Sequence, residues 1–268
     1  MTNDDPKVRR VVAALDASAT PEEILQAAAG LALALQAELV GLFVEDQRLL
    51  RLAQLPFAQE FGLTTARARR LEVVDVERAL RRQAERMRRM IGETAQPLGL
   101  VWTLEIVRGD SPQAALTYAG AEDLLVIGRA RYYAPGKFDR PAPGASGSRA
   151  RVGPVAVLFD GTPQAVRALG FATTLARAAR CDITVLIPAA GPESFRSRRL
   201  EAGRVLQAGG ASAVAYVMLP DQGAASVARA SRAHRAWMLV WPAGERSTAG
   251  KTASQLLAEV TCPVVMIG

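Results

Sequence analysis

The chain has little of what protein chemistry most often uses. Its 268 residues hold two cysteines, Cys181 and Cys262, and one histidine, His234. Two cysteines make no disulfide framework and point to a cytoplasmic setting. With a single histidine beside them, a Cys/His zinc site is excluded. His234 stands between Arg232 and Arg235 with no Ser/Asp constellation around it, so it reads as a helix-end histidine and not as a catalytic base. No apolar run reaches membrane-spanning length; the longest, Ala27–Leu35, fits a buried helix. The opening MTNDDPKVRR has no signal-peptide character. Lysine occurs only at Lys7, Lys137 and Lys251, so the net charge of +7 rests almost wholly on arginine. That excess suits an anionic partner or a genome that encodes its basic residues as arginine, and we read it as the second.

What the chain does have is a repeat. Val11–Val44 (VVAALDASATPEEILQAAAGLALALQAELVGLFV) lies on Val155–Pro188 (VAVLFDGTPQAVRALGFATTLARAARCDITVLIP) without a gap. The alignment sets Asp16 on Asp160, Ser18 on Thr162, Leu25 on Leu169 and Leu39 on Ile183. Two copies of one β-α-β opening predict two related domains, residues 1–150 and 151–268, each a doubly wound parallel sheet.

Val8–Leu15 reads as a buried parallel strand and Glu38–Val44 as the next, with a helix between them opened by Thr20, Pro21 and Glu23. A segment at about 47–70 has no counterpart in the second copy. A long helix follows, with Val73, Val76, Leu80, Met87 and Met90 as its apolar stripe. Its other face, with Arg78, Arg81, Arg82, Arg88 and Arg89, has no interleaved aromatics and reads as solvated, which disfavours a nucleic-acid role. Val101–Val107 and Leu124–Ile127 are the third and fourth strands. The second copy continues with Ala213–Leu219 and Met238–Trp241, then adds a helix at Ala253–Glu259 and a strand at Pro263–Ile267. The first copy lacks that ending. Val155–Phe159 would serve either as its last strand or as the first of copy two, and the repeat favours copy two.

In open parallel sheets ligands sit beyond the carboxyl ends of the strands, where strand order reverses. That places Asp16 and Gly128 beside one crevice, and Asp160 and Pro242 beside the other. A carboxylate there accepts from ribose or base; a glycine lets backbone approach a phosphate. The alternative for either aspartate is a turn residue after a strand. Gly244–Thr252 (GERSTAGKT) is not a P-loop: it has one residue too many between its glycines, and Glu245 stands among them.

Taken in order, Val12–Ser18, Gly109–Pro112, Leu124–Gly128 and Cys262–Ile267 resemble the universal stress protein family in its tandem form. The resemblance covers most of the chain outside the 47–70 segment. It implies two Rossmann-like domains of the adenine nucleotide alpha hydrolase type. Members that bind ATP use an aspartate after the first strand and a loop G-x2-G-x9-G-(S/T) after the fourth. Carried over, it implies an ATP site at Ala14, Leu15, Asp16, Val44, Ile127, Gly128, Arg131, Gly147 and Ser148, and a weaker one at Asp160, Gly250, Lys251 and Thr252. Both copies depart from the pattern. Arg131 replaces the second glycine, Gly147-Ser148 lies too far from Gly128, Pro242 replaces the first glycine in copy two, and Lys251 replaces Ser/Thr.

The expectation is a non-enzymatic regulator that binds adenine nucleotide in its first copy, with no catalytic or metal residues. A scaffold that has lost nucleotide binding and a weak ATPase are the alternatives. A protein partner would meet Leu49, Leu50, Leu52, Leu55 and Phe57, unless that segment folds over the crevice of its own domain. The terminal strand is expected to pack on copy one or to form a homodimer through a sheet edge.

Overall fold

The computed structural model describes residues 8–15, 21–61, 68–109, 113–120, 122–128, 153–210, 214–242 and 254–267. In chain order the first copy supplies β1 (Arg10–Leu15), α1 (Pro21–Leu35), β2 (Glu38–Asp46), α2 (Gln47–Ala53), β3 (Gln59–Phe61), β4 (Ala68–Arg70), α3 (Val73–Ala95), β5 (Trp102–Gly109), α4 (Gln113–Tyr118) and β6 (Asp123–Ile127). The second supplies β7 (Val155–Leu158), α5 (Pro163–Ala179), β8 (Ile183–Pro188), α6 (Pro192–Ala208), β9 (Val214–Leu219), α7 (Ala224–Ala233), β10 (Met238–Pro242), a helix α8 over 254–259, and β11 (Val264–Ile267).

The sheets of the two copies fuse. Nine strands form one sheet in the order β5-β2-β1-β6-β11-β10-β7-β8-β9. Within this sheet the pairing inside each copy is parallel, β3 and β4 form a separate antiparallel pair, and β7 opens the second copy, as the repeat requires. The seam between copies is the pairing of β11 with β6, which is antiparallel, while β11 pairs parallel with β10 on its other side. One strand therefore completes its own copy and fills the fifth place of the other. This corrects the expectation of a homodimer through the C-terminal strand: β11 is paired on both flanks and presents no edge. It bears out the alternative, packing against copy one within the chain. Among the described residues the open edges of the nine-stranded sheet belong to β5 and β9.

The strands read as near-continuous apolar runs because both sheet faces are covered. Side-chain alternation sends Val11, Ala13 and Leu15 to one face, where α1, α3, α5 and α6 pack, and Val12 and Ala14 to the other, where α4, α7 and α8 pack. Both layers take residues from both copies. The long helix falls where its stripe predicts: Val76, Leu80 and Met87 are buried, and Val73 and Met90 are half-buried. A methyl at Gly41 of β2 would collide with Ile91 of α3, so this glycine sets how closely helix meets sheet.

At the amino end of the first copy, Arg10 on β1 grips Asp123 on β6. Its Nε donates to Oδ1 at 2.9 Å and Nη2 to Oδ2 at 2.5 Å, while the Gly120 N–H donates to Oδ2 at 2.7 Å. Burial by itself would raise the Asp123 carboxyl. The hydrogen bonds from Arg10 and Gly120 and the charges of Arg10 and Arg9 outweigh it and hold the group below the usual carboxylate range. A carboxyl lowered on folding stabilises the fold above its unfolded value and loses that contribution as pH falls through its folded value. Asp123→Asn is expected to lower stability at pH 7 by about 2 kcal/mol, since it leaves the half-buried Arg10 unpaired. It should also flatten the fall in stability below about pH 4. Urea titrations across pH 2–7 check both; an unchanged acid limb would refute the assignment.

Candidate functional site

Strand order reverses between β1 and β6 in the first copy and between β7 and β10 in the second, so each copy has one crevice at its carboxyl edge. The antiparallel seam turns the copies head to tail. The two crevices thus open at opposite edges of the common sheet.

In the first crevice Ala14 and Ile127 are paired across β1 and β6, and Leu15 pairs with Phe43. The side chains of Ala14, Leu15, Val44 and Ile127 are all buried in the two cores. Whatever these four give a ligand comes from backbone and from the floor they form. Gly128 follows Ile127 and is half-buried. A Cβ there would lie 2.7 Å from Cγ1 and 2.8 Å from Cδ1 of Ile24. Close packing of α1 is therefore a second reason for glycine at this position, one that the sequence pattern did not disclose. Asp16, Arg131, Gly147 and Ser148 lie outside the described residues.

The second crevice differs. The Asp160 carboxylate accepts from the Thr162 backbone N–H at 3.0 Å and from its hydroxyl at 2.7 Å. Thr162 in turn caps α5, its Oγ1 accepting from the Ala165 N–H at 3.2 Å. Asp160 is thus engaged in a turn that starts a helix, the alternative weighed for it from the sequence. Pro242 ends β10, opposite Ile267, and has no N–H to offer. Trp241 beside it is buried in the core. Gly250, Lys251 and Thr252 lie outside the described residues.

One polar pair at the first carboxyl edge escaped the sequence reading. Glu45 follows Val44 on β2, is only 8% exposed, and its Oε2 accepts from Arg108 Nε of β5 at 2.8 Å. The next residue, Asp46, caps α2 by accepting from the Arg48 N–H at 2.8 Å. No local signal links Glu45 with Arg108; the pair exists because β2 and β5 are neighbours in register.

Other singled-out residues take structural places. His234 is exposed at the end of α7. Cys262 is buried, and burial pushes its thiol up to about 12, which keeps it protonated and inert. Among the described residues no group of three or more His, Cys, Asp or Glu is placed to hold a metal ion, and no helix is long and apolar enough to cross a membrane.

The fold and its paired crevices define a class: tandem α/β proteins whose two copies share one sheet. A universal stress protein of Archaeoglobus fulgidus DSM 4304 is similar over 98% of this chain and 97% of its own, with a TM-score of 0.59 at 13% identity. A Pseudomonas aeruginosa UCBPP-PA14 protein described as of the same type is similar over 99% of this chain and 95% of its own, with a TM-score of 0.50 at 16% identity. No protein-family model matches the chain, and no curated protein does. The fold is that of the universal stress proteins at full two-copy length.

Proposed function

We propose that this chain is a non-catalytic regulator that binds an adenine nucleotide, ATP in the first instance, in its first copy only. The observation that carries the reading is the inequivalence of the two crevices on one fold. In the second, the carboxylate is held by Thr162 and a proline replaces the backbone donor. In the first, a half-buried glycine follows β6 beside β1. Asp16 would hold the ribose or base, and the backbone at Gly128 would approach the phosphate. The route outward is short, because α2 begins three residues after Val44 and carries Leu49 and Leu52, which lead to Leu55 and the 75% exposed Phe57. Occupancy of the crevice would alter that surface for a protein partner.

Those same side chains favour one alternative, a scaffold that binds its partner without nucleotide. Native mass spectrometry and calorimetry with ATP and AMP separate the two. We expect one nucleotide per chain, lost in Asp16→Ala and kept in Asp160→Ala. The second variant should lose only about 1 kcal/mol of stability, from its turn and cap. Absence of binding by folded protein would sink the nucleotide reading and leave the scaffold.

A further inference from the structure

We infer that two molecules of this chain pair along β9, antiparallel and about a two-fold axis, into one continuous sheet. The inference goes beyond the nucleotide reading and does not depend on it. The edge is not the one expected from the sequence, which β11 closes within the chain. Among the described residues β9 (VAYVML) is the outermost strand of the second copy and pairs only with β8. Edge strands are ordinarily blunted by charge, proline or a bulge. β9 carries no charge and no proline, and it pairs with β8 residue for residue, without a bulge. β5, at the far edge, carries Glu105 and Arg108.

The free flank of β9 is complementary to itself. The Ala189 N–H donates to the Leu219 carbonyl at 3.0 Å, so the backbone groups of Leu219 face β8. Backbone direction alternates along a strand: Ala215 and Val217 also face β8, and Val214, Tyr216 and Met218 face away. A two-fold axis at Tyr216 sets Tyr216 on its own copy and Val214 on Met218 of the second molecule. Every outward N–H and carbonyl of Val214, Tyr216 and Met218 then finds a partner, and no two like charges on the strand are opposed. Met218, 49% exposed, is covered by Val214 of the second molecule. Arg199 of α6 stands over the Tyr216 ring, its guanidinium 5.0 Å from the centroid, which orders that ring before the molecules meet. Such a pairing consumes the β9 edge of both molecules and closes the assembly. β2 and β9 stand toward opposite ends of the sheet, so α2, which follows β2, lies away from the axis. The dimer therefore displays the Phe57 surface once at each end and suits a partner with two binding segments.

Sedimentation equilibrium of the full chain is expected to show a reversible dimer. Met218→Pro should weaken it about tenfold or more, since two hydrogen bonds between the molecules are lost. Position 218 donates outward, so the proline removes no bond to β8, and far-UV circular dichroism should show the fold kept. Cross-linking reads the register. Ala215 of one molecule faces Val217 of the other as a close, non-hydrogen-bonded pair. Ala215→Cys with Val217→Cys should therefore give a disulfide-linked dimer under mild oxidant, which Ala215→Cys alone and the unaltered chain do not. A monomer at every concentration would overturn the inference, as would a folded Met218→Pro that dimerises as tightly as the unaltered chain. Failure of the double cysteine variant to cross-link would overturn it whether or not the proline variant folds.

Discussion

Truncation after Pro263 is expected to abolish folding in both halves of the chain, although it removes only the last few residues. The lost strand, β11, is the sole link between β6 and β10. Val264, Val265 and Met266 are each at most 3% exposed. At about 2 kcal/mol for each buried apolar side chain, their loss alone costs about 6 kcal/mol. That is comparable with the whole stability of an ordinary domain, about 5–15 kcal/mol. Two rows of strand hydrogen bonds go with them, and the exposed flanks of β6 and β10 become templates for aggregation. Soluble yield and far-UV circular dichroism read the outcome. A soluble, cooperatively unfolding truncation with an unchanged urea midpoint would show that the copies fold independently.

Gly153→Ala is expected to cost about 3 kcal/mol or more, for the addition of one methyl group. Gly153 brings the chain into the second copy, and its missing Cβ would collide with the Arg235 carbonyl oxygen. That oxygen is backbone, so no rotamer change relieves the clash. Arg235 is itself held at φ 52°, a left-handed conformation in the turn after α7, and the turn is anchored where the Trp237 N–H donates to the Pro154 carbonyl at 3.2 Å. Gly170, exposed in α5 with open space where its Cβ would stand, is the control. Gly170→Ala should stabilise by about 0.5–1 kcal/mol through helix propensity. Thermal melts of opposite sign, with Gly153→Ala lower by about 6–12 °C, are the expected result. Equal melts would refute the close packing of Gly153 on the turn after α7.

The repeat made most of the fold readable from the chain. Val11–Leu15 and Val155–Leu158 are apolar because parallel strands are buried on both faces, and the stripe Val76, Leu80 and Met87 marks the buried side of α3. Such patterns are local, and each residue's place follows from its near neighbours. The candidate site was less legible. Ala14, Leu15, Val44 and Ile127 could be named as lining, but a sequence does not say that their side chains point into the cores. Asp16 and Asp160 look alike in the repeat, and nothing in it discloses the hydrogen bonds that tie Asp160 to Thr162. Glu45 and Arg108 meet only because β2 and β5 pair.

The sequence by itself determined the number of copies, the alternation of strands and helices, and the identity of β7 as the opening of the second copy, and it led to the expectation that the first copy has no fifth strand of its own. These follow from periodicity and self-similarity, which are properties of short stretches. Only the tertiary structure decided what fills the missing place. A four-residue apolar strand carries no direction in its side-chain pattern, and VVMI would pair parallel or antiparallel equally well. Its antiparallel docking on β6 is set by where the second copy's core leaves β11, and it joins the two halves and turns their crevices to opposite edges of one sheet.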